Sequence, residues 1–184
     1  MPERGADRAI TIYGDRISGN CDKVHFVADH LGLPYRWVET SVIAGATRTA
    51  EFLARYPAGQ VPTVVLADGR ALAQSNAILL YLAAGSDLLP SAPYDRALVD
   101  QWLFWEQNTH ETTIAARRYR KSYLKLPEAE IDPSLKPRCE RALDLMERHS
   151  AARRFLVGER LSVADIALVA YTRMASEGGL DLEK

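Results

Sequence analysis

The chain has 184 residues, a net charge of −1 from 23 basic and 24 acidic side chains, and 47% apolar residues. That length suits one large domain or two compact ones with real cores, and the interspersed, nearly balanced charge leaves no footprint for nucleic acid or a membrane surface. The opening Met1-Pro-Glu-Arg-Gly-Ala-Asp-Arg lacks the apolar centre of a signal peptide, no later apolar run can span a bilayer, and the two distant cysteines, Cys21 and Cys139, form no disulfide framework, so the expected compartment is the cytoplasm.

The stretch Ala9-Ile10-Thr11-Ile12 reads as a buried strand. The run Tyr13-Gly-Asp-Arg-Ile-Ser18-Gly19-Asn20-Cys21 follows, and apolar residues then recur at Val24, Val27, Ala28 and Leu31, the spacing of a core-facing helix. A strand therefore feeds a helix through an exposed SxxC turn. The first amides of a helix have no partner within it and its dipole adds about half a positive charge there, so the turn attracts anions, a thiolate among them.

The helix ends at Gly32 with Pro34 as a stop, and Tyr35-Arg-Trp37-Val38-Glu39 reads as a second strand. Residues 49–56 form a short helix ended by Pro57 and Gly59, before the apolar strand Pro62-Thr-Val64-Val65-Leu66. Asp68-Gly69 is a hairpin signal into Arg70-Ala71-Leu72-Ala73. Ser75 caps a helix through Ala84 whose apolar positions include Ile78, Leu79, Tyr81 and Leu82. Residues 1–84 thus read βαβ followed by ββα.

Residues 85–93, with two prolines, read as a linker, and 94–184 as a helical domain. Residues 94–123 make one long helix without Gly or Pro, carrying Leu98, Trp102, Leu103, Trp105 and Ile114, and its basic cluster Arg117-Arg118-Tyr119-Arg120-Lys121 reads as a solvated helix end. Pro133 and Pro137 open another helix that runs through Leu143, Leu145 and Met146. Ser162-Val163-Ala164-Asp165 is a capping-box variant, with Leu161 and Ile166 placed as a hydrophobic staple, and the helix it starts is apolar on nearly every face, as a buried spine would be. His25, His30, His110 and His149 show no metal-ligand spacing, so no metal is expected.

In order and spacing, the SGNC turn, Thr47-Arg48-Thr49-Ala-Glu51-Phe52-Leu53, Gly59-Gln60-Val61-Pro62, Gln74-Ser75-Asn76-Ala77-Ile78 and Gln101-Trp102-Leu103-Phe104-Trp105-Glu106-Gln107 resemble the glutathione S-transferase family, its bacterial, theta-like members in particular, over essentially the whole chain. The resemblance implies an α/β plus all-α fold: a thioredoxin-like N-terminal domain and a helical C-terminal domain, usually in a homodimer. It also implies glutathione as co-substrate, conjugated to a small hydrophobic electrophile in a detoxifying reaction.

Carried onto this sequence, the family pattern makes Ser18 the hydroxyl that donates to the glutathione sulfur and favours its thiolate. Asn20 is an alternative donor through its side-chain amide. Cys21 stands where a glutaredoxin has the second cysteine of CxxC; it is either a small buried residue or the reacting sulfur of a glutathione-dependent disulfide reductase or lyase. Val61, ahead of an expected cis Pro62, pairs with the cysteinyl backbone like an added strand. Ser75 and Gln74 face the γ-glutamyl carboxylate and amine, while Gln60 and Arg48 are weaker candidates for the glycyl carboxylate, both reading first as solvated surface side chains, Arg48 especially. Trp102, Trp105 and Thr109 fall at helical spacing and are candidates for the wall of an acceptor pocket between the domains, although such a stripe is more often core or dimer seam.

Two departures stand out. Tyr56-Pro57 replaces the Asn-Pro expected there and Gln60 stands where Lys is at least as common, both near the glycyl end of the tripeptide. The chain also stops at Lys184, just past Gly178-Gly179, where family members usually continue through further helices. A trimmed chain, a natural variant lacking that cover, and a protein-binding scaffold that kept the fold but lost the chemistry are all open on this ground.

Overall fold

A computed structural model describes residues 9–183, so the reading of residues 1–8 lies outside the described residues. The chain divides into two compact units, Met1–Ser86 and Asp87–Lys184.

The first unit runs β1 (Ile10–Gly14), α1 (Gly19–His30), β2 (Tyr35–Glu39), α2 (Ala50–Arg55), β3 (Thr63–Val65), β4 (Ala71–Ala73) and α3 (Ser75–Leu82). Its four strands lie in the order β2-β1-β3-β4. β1 pairs in parallel with β2, as a helical crossover requires, and antiparallel with β3, which pairs antiparallel with β4. This is the βαβ-ββα sheet of a thioredoxin-like domain.

Alternation along β1 buries Ile10, Ile12 and Gly14 and leaves Thr11 and Tyr13 half-covered. Ile12 pairs with Val64 at the centre of the sheet, and both are fully buried. α1 packs against α3, and Val24, Val27, Ala28, Ile78 and Leu79 leave no exposed surface. Full burial of each larger aliphatic among them contributes about 1.5–3 kcal/mol. Gly14 closes β1 because a Cβ there would lie 2.4 Å from the Trp37 ring. The Asp68-Gly69 signal makes a tight turn, with the Gly69 N–H donating to the Leu66 carbonyl and Gly69 at φ 83, a value glycine adopts without strain. Thr49 caps α2 through its hydroxyl, which accepts from the Phe52 N–H at 3.2 Å.

The second unit is helical. α4 (Pro93–Trp105) continues through a widened, π-helical stretch (Glu106–Ala115), the short α5 (Ala116–Arg118) and a further π-helical stretch (Tyr119–Tyr123); α6 (Leu135–Ser150) and α7 (Val163–Thr172) follow. The expected single long helix is therefore continuous but not regular. Its middle carries Thr112 and Thr113, whose hydroxyls bond carbonyls three or four residues back: Thr112 to Asn108 and Thr109, Thr113 to Thr109 and His110. Such hydroxyls compete for the carbonyls of a regular helix, a tendency invisible to apolar periodicity.

Two expectations need correction. The basic cluster is not a solvated end: Arg117 and Arg118 are only 2% and 5% exposed. Arg117 donates to the Gly178 carbonyl and pairs with Glu128, and Arg118 pairs with Glu177 and donates to the Tyr123 hydroxyl, which pins the final 3-10 turn, Ala175–Gly178, to the end of the long helix. Residues 85–93 are not a bare linker either, since Leu88 and Leu89 are buried and the Leu88 carbonyl accepts the N–H of Val163 at the start of α7.

The capping box is present: Asp165 Oδ2 accepts from the Ser162 N–H and hydroxyl, each at 2.8 Å. α7 buries seven of its residues, including Ile166, Leu168 and Tyr171, and a core cluster joins Tyr171 to Ile114, Cys139, Met174, Ala175 and Leu180. No helix among the described residues is long and apolar enough to cross a membrane.

Candidate functional site

The turn between β1 and α1 is built by Asp15, which sequence reasoning passed over. It is buried, and its carboxylate accepts the N–H of Ile17 at 3.1 Å and of Val42 at 2.8 Å, while its carbonyl accepts the N–H of Ser18 at 2.9 Å. An Asp closing a strand and bonding two residues on is an Asx turn, and that was the available signal.

Ser18 then takes the N-cap position in extended conformation, φ −92 and ψ 117, with its carbonyl accepting the N–H groups of Cys21 and Asp22. Its hydroxyl does not cap the helix. The Cys21 thiol receives the Asp15 N–H at 3.4 Å, and the Ser18 hydroxyl counts among the groups that favour its ionised form. A donor capable of stabilising a sulfur thus sits at the half-buried mouth of α1.

Cys21 itself has no exposed surface. Burial pushes its thiol up to about 12, against the opposing pull of the hydrogen bonds from Asp15 and Ser18. At neutral pH it is a protonated, covered thiol, which is inert as a nucleophile.

The Oδ1 of Asn20 accepts from the Ser75 hydroxyl at 3.1 Å. Lys23, fully buried, donates to the same Ser75 oxygen and to Asn76 Oδ1, each at 3.4 Å. The first turns of α1 and α3 are therefore joined by a polar cluster. Lysine in a motif reads as surface, and only the partners 52 and 53 residues away reveal its burial.

Val61 and Pro62 meet in a cis peptide bond just before β3, with Pro62 buried and Val61 half-buried. Gln60 is exposed and its carbonyl accepts from the Thr63 hydroxyl. Gln74, at the N-cap of α3, has φ 69 and ψ 110, a strained conformation for a residue with a side chain. Its Nε2 donates to the Tyr56 hydroxyl at 2.8 Å, so the residue that departs from the expected Asn braces the γ-glutamyl-side candidate. Arg48 is exposed, donates to the Ala58 carbonyl at 3.3 Å and lies over Gly59, where a Cβ would come within 2.7 Å of its guanidinium.

In the second unit Trp102 is buried between Trp105 and His149, with ring centroids 5.4 Å and 4.8 Å away. Trp105 and Thr109 are half-buried farther along the same helix. Among the described residues no cluster of three or more His, Cys, Asp or Glu side chains is placed to hold a metal ion.

A mixed sheet in βαβ-ββα order, a cis proline before its third strand and a following helical unit define a thioredoxin-like protein with an added all-α domain. The sequence matches the family descriptions "Glutathione S-transferase, N-terminal domain" over residues 17–84 and "Glutathione S-transferase, C-terminal domain" over residues 115–175. A solved glutathione S-transferase from Pseudomonas fluorescens is 47% identical with a TM-score of 0.91, covering 94% of this chain and 87% of its own. One from Xanthobacter autotrophicus is 46% identical with a TM-score of 0.88, covering 95% of this chain and 86% of its own. Glutathione S-transferase 3 of Zea mays is 29% identical over 165 residues, 85% of this chain and 73% of the relative. The chain belongs to the glutathione S-transferase family.

Proposed function

We propose that this protein binds glutathione in its first unit and conjugates it to a small hydrophobic electrophile, with Ser18 holding the sulfur as a thiolate. The observation that carries the reading is Ser18 itself, a half-buried hydroxyl at the N-cap of α1 whose side chain makes no capping bond to the helix. A hydroxyl turns freely about its C–O bond, so it can donate to a ligand sulfur arriving at the mouth of the helix. The main-chain N–H groups and dipole of α1 add to the attraction. Lowering a thiol by about two pKa units requires about 2.7 kcal/mol, within reach of one charge-assisted hydrogen bond and a helix end.

The reaction then needs no cofactor beyond glutathione. The thiol proton leaves to solvent, and the thiolate electron pair forms a C–S bond to the electrophilic carbon while a leaving group departs or an addition product takes up a proton. Val61 aligns the cysteinyl backbone, Ser75 and Gln74 hold the γ-glutamyl end, and Gln60 lies toward the glycyl carboxylate. Arg48 is occupied with the Ala58 carbonyl and Gly59, and its contribution there is minor. For the acceptor side we assign Trp105 and Thr109, with Trp102 packed behind Trp105. We also expect a homodimer, which sedimentation equilibrium tests.

A disulfide reductase or lyase that uses Cys21 is not favoured, because that thiol is covered and raised to about 12. Replacing Ser18 and Cys21 singly by Ala separates the two chemistries. Loss of conjugation in Ser18→Ala alone supports the transferase, and loss of disulfide reduction in Cys21→Ala alone overturns it.

A further inference from the structure

Lys23 is a charged side chain with 0% of its surface exposed, two residues past the SGNC segment. Its Nζ lies 3.4 Å from Ser75 Oγ and 3.4 Å from Asn76 Oδ1, and these two residues are the first of α3. Ser75 Oγ in turn lies 3.1 Å from Asn20 Oδ1. The direction of every bond in this chain follows from the donor inventory. An ammonium only donates, so Ser75 accepts from it; a hydroxyl has one proton, so Ser75 gives that proton to Asn20. By the same rule Asn76 turns its carbonyl to Lys23.

The Ser75 hydroxyl, read from sequence as a donor to the γ-glutamyl carboxylate, is therefore already engaged. What α3 offers an anion is its first main-chain N–H groups, with a positive charge buried behind them. In a low-dielectric interior such a charge acts on a neighbouring anion far more strongly than an exposed lysine does.

We propose that Lys23 is a positioning residue of this site: it commits the Ser75 hydroxyl to Asn20 and presents a buried positive charge behind the amides that receive the γ-glutamyl carboxylate. The inference rests on the glutathione reading above. Asn20, held through its carbonyl by Ser75, is fixed at the first turn of α1 by the same device, so one lysine orders both helix ends that face the tripeptide.

Two ligands that differ only in that carboxylate read the proposal: glutathione and γ-aminobutyryl-cysteinyl-glycine. Measured by calorimetry, wild-type protein prefers glutathione by about tenfold or more, and Lys23→Met narrows the preference to about threefold or less. A folded Lys23→Met protein with the wild-type preference overturns the role of Lys23 and leaves the glutathione site standing. Wild-type protein that binds neither ligand overturns the site and this inference together. Because a buried lysine can be needed for folding, a second measurement uses wild-type protein labelled with nitrogen-15 in its lysines. Glutathione is expected to shift the Lys23 ammonium resonance and the analogue to leave it in place; equal shifts with both ligands, or none with either, overturn the proposal.

Discussion

Ser18 and Cys21 lie three positions apart, and their environments push sulfur chemistry in opposite directions. A ligand sulfur at the mouth of α1 meets donors and a helix dipole, whereas the Cys21 sulfur meets burial and the nearby carboxylates of Asp15 and Asp22, which also raise it. Ser18→Ala is expected to reduce kcat for conjugation about a hundredfold, the equivalent of about 2.7 kcal/mol, while Cys21→Ala changes it by less than about threefold. Steady-state kinetics with a chromogenic electrophile measures both. The Cys21 shift has a second consequence. Its folded value, about 12, lies above its ordinary 9.0, so the folded state keeps a proton that the unfolded state has lost between those values. The stability this provides is complete below pH 9.0 and is lost as pH rises toward about 12. Urea titrations across that range are expected to show wild type falling more steeply than Cys21→Ala, by at most about 1.4 kcal/mol per pH unit. Gln74 makes a third test at this scale, since its φ of 69 is strained. Gln74→Gly is expected to raise stability by up to about 1 kcal/mol while weakening glutathione binding about tenfold, read by denaturation and calorimetry on the same protein.

At the scale of elements, the capping box shows how one carboxylate can fix a loop and a helix together. Asp165 Oδ1 accepts the Leu156 N–H at 2.8 Å and Oδ2 serves Ser162, so the side chain ties the approach segment to the first turn of α7. Asp165→Ala strands the part-buried donors of both residues and is expected to cost about 2–3 kcal/mol; Ser162→Ala loses only the hydroxyl contact and costs about 1 kcal/mol. Denaturant unfolding of the two variants gives the ranking. This motif was legible in the sequence because its parts lie three residues apart, and the buried strand at Ile10 and Ile12 was legible from its short apolar run. The π-helical course of the long helix was not legible: the hydroxyl bonding of Thr112 and Thr113 to nearby carbonyls leaves the apolar spacing of the segment unchanged. Arg117 and Arg118 were misread for a related reason. Their counter-charges and acceptors, Glu128, Gly178 and Glu177, come from later turns that a local reading treats as loop.

For the whole molecule, the family followed from the order of short motifs more than from any one of them. The SGNC turn, the Val61–Pro62 step and the Gln74-Ser75 pair fall on the ends of β1, β3 and α3, where a thioredoxin-like sheet exposes its main chain. What the motifs did not disclose is the wiring between them: Lys23 to Ser75 to Asn20, and Gln74 to Tyr56, link segments 18 to 55 residues apart. Ligand binding to the native state alone raises stability by mass action, and glutathione at a hundred times its dissociation constant is expected to add about 2.7 kcal/mol. That gain fails to appear if the first unit has no tripeptide site.

The most direct test is a pH titration of the thiolate absorbance band of glutathione bound to wild-type and Ser18→Ala protein, with calorimetry establishing saturation. A sulfur that ionises about two pH units lower on wild-type protein than in free solution, with most of that shift gone in Ser18→Ala, is the predicted result. Bound glutathione that ionises as it does in water, or no binding at millimolar ligand, contradicts the account.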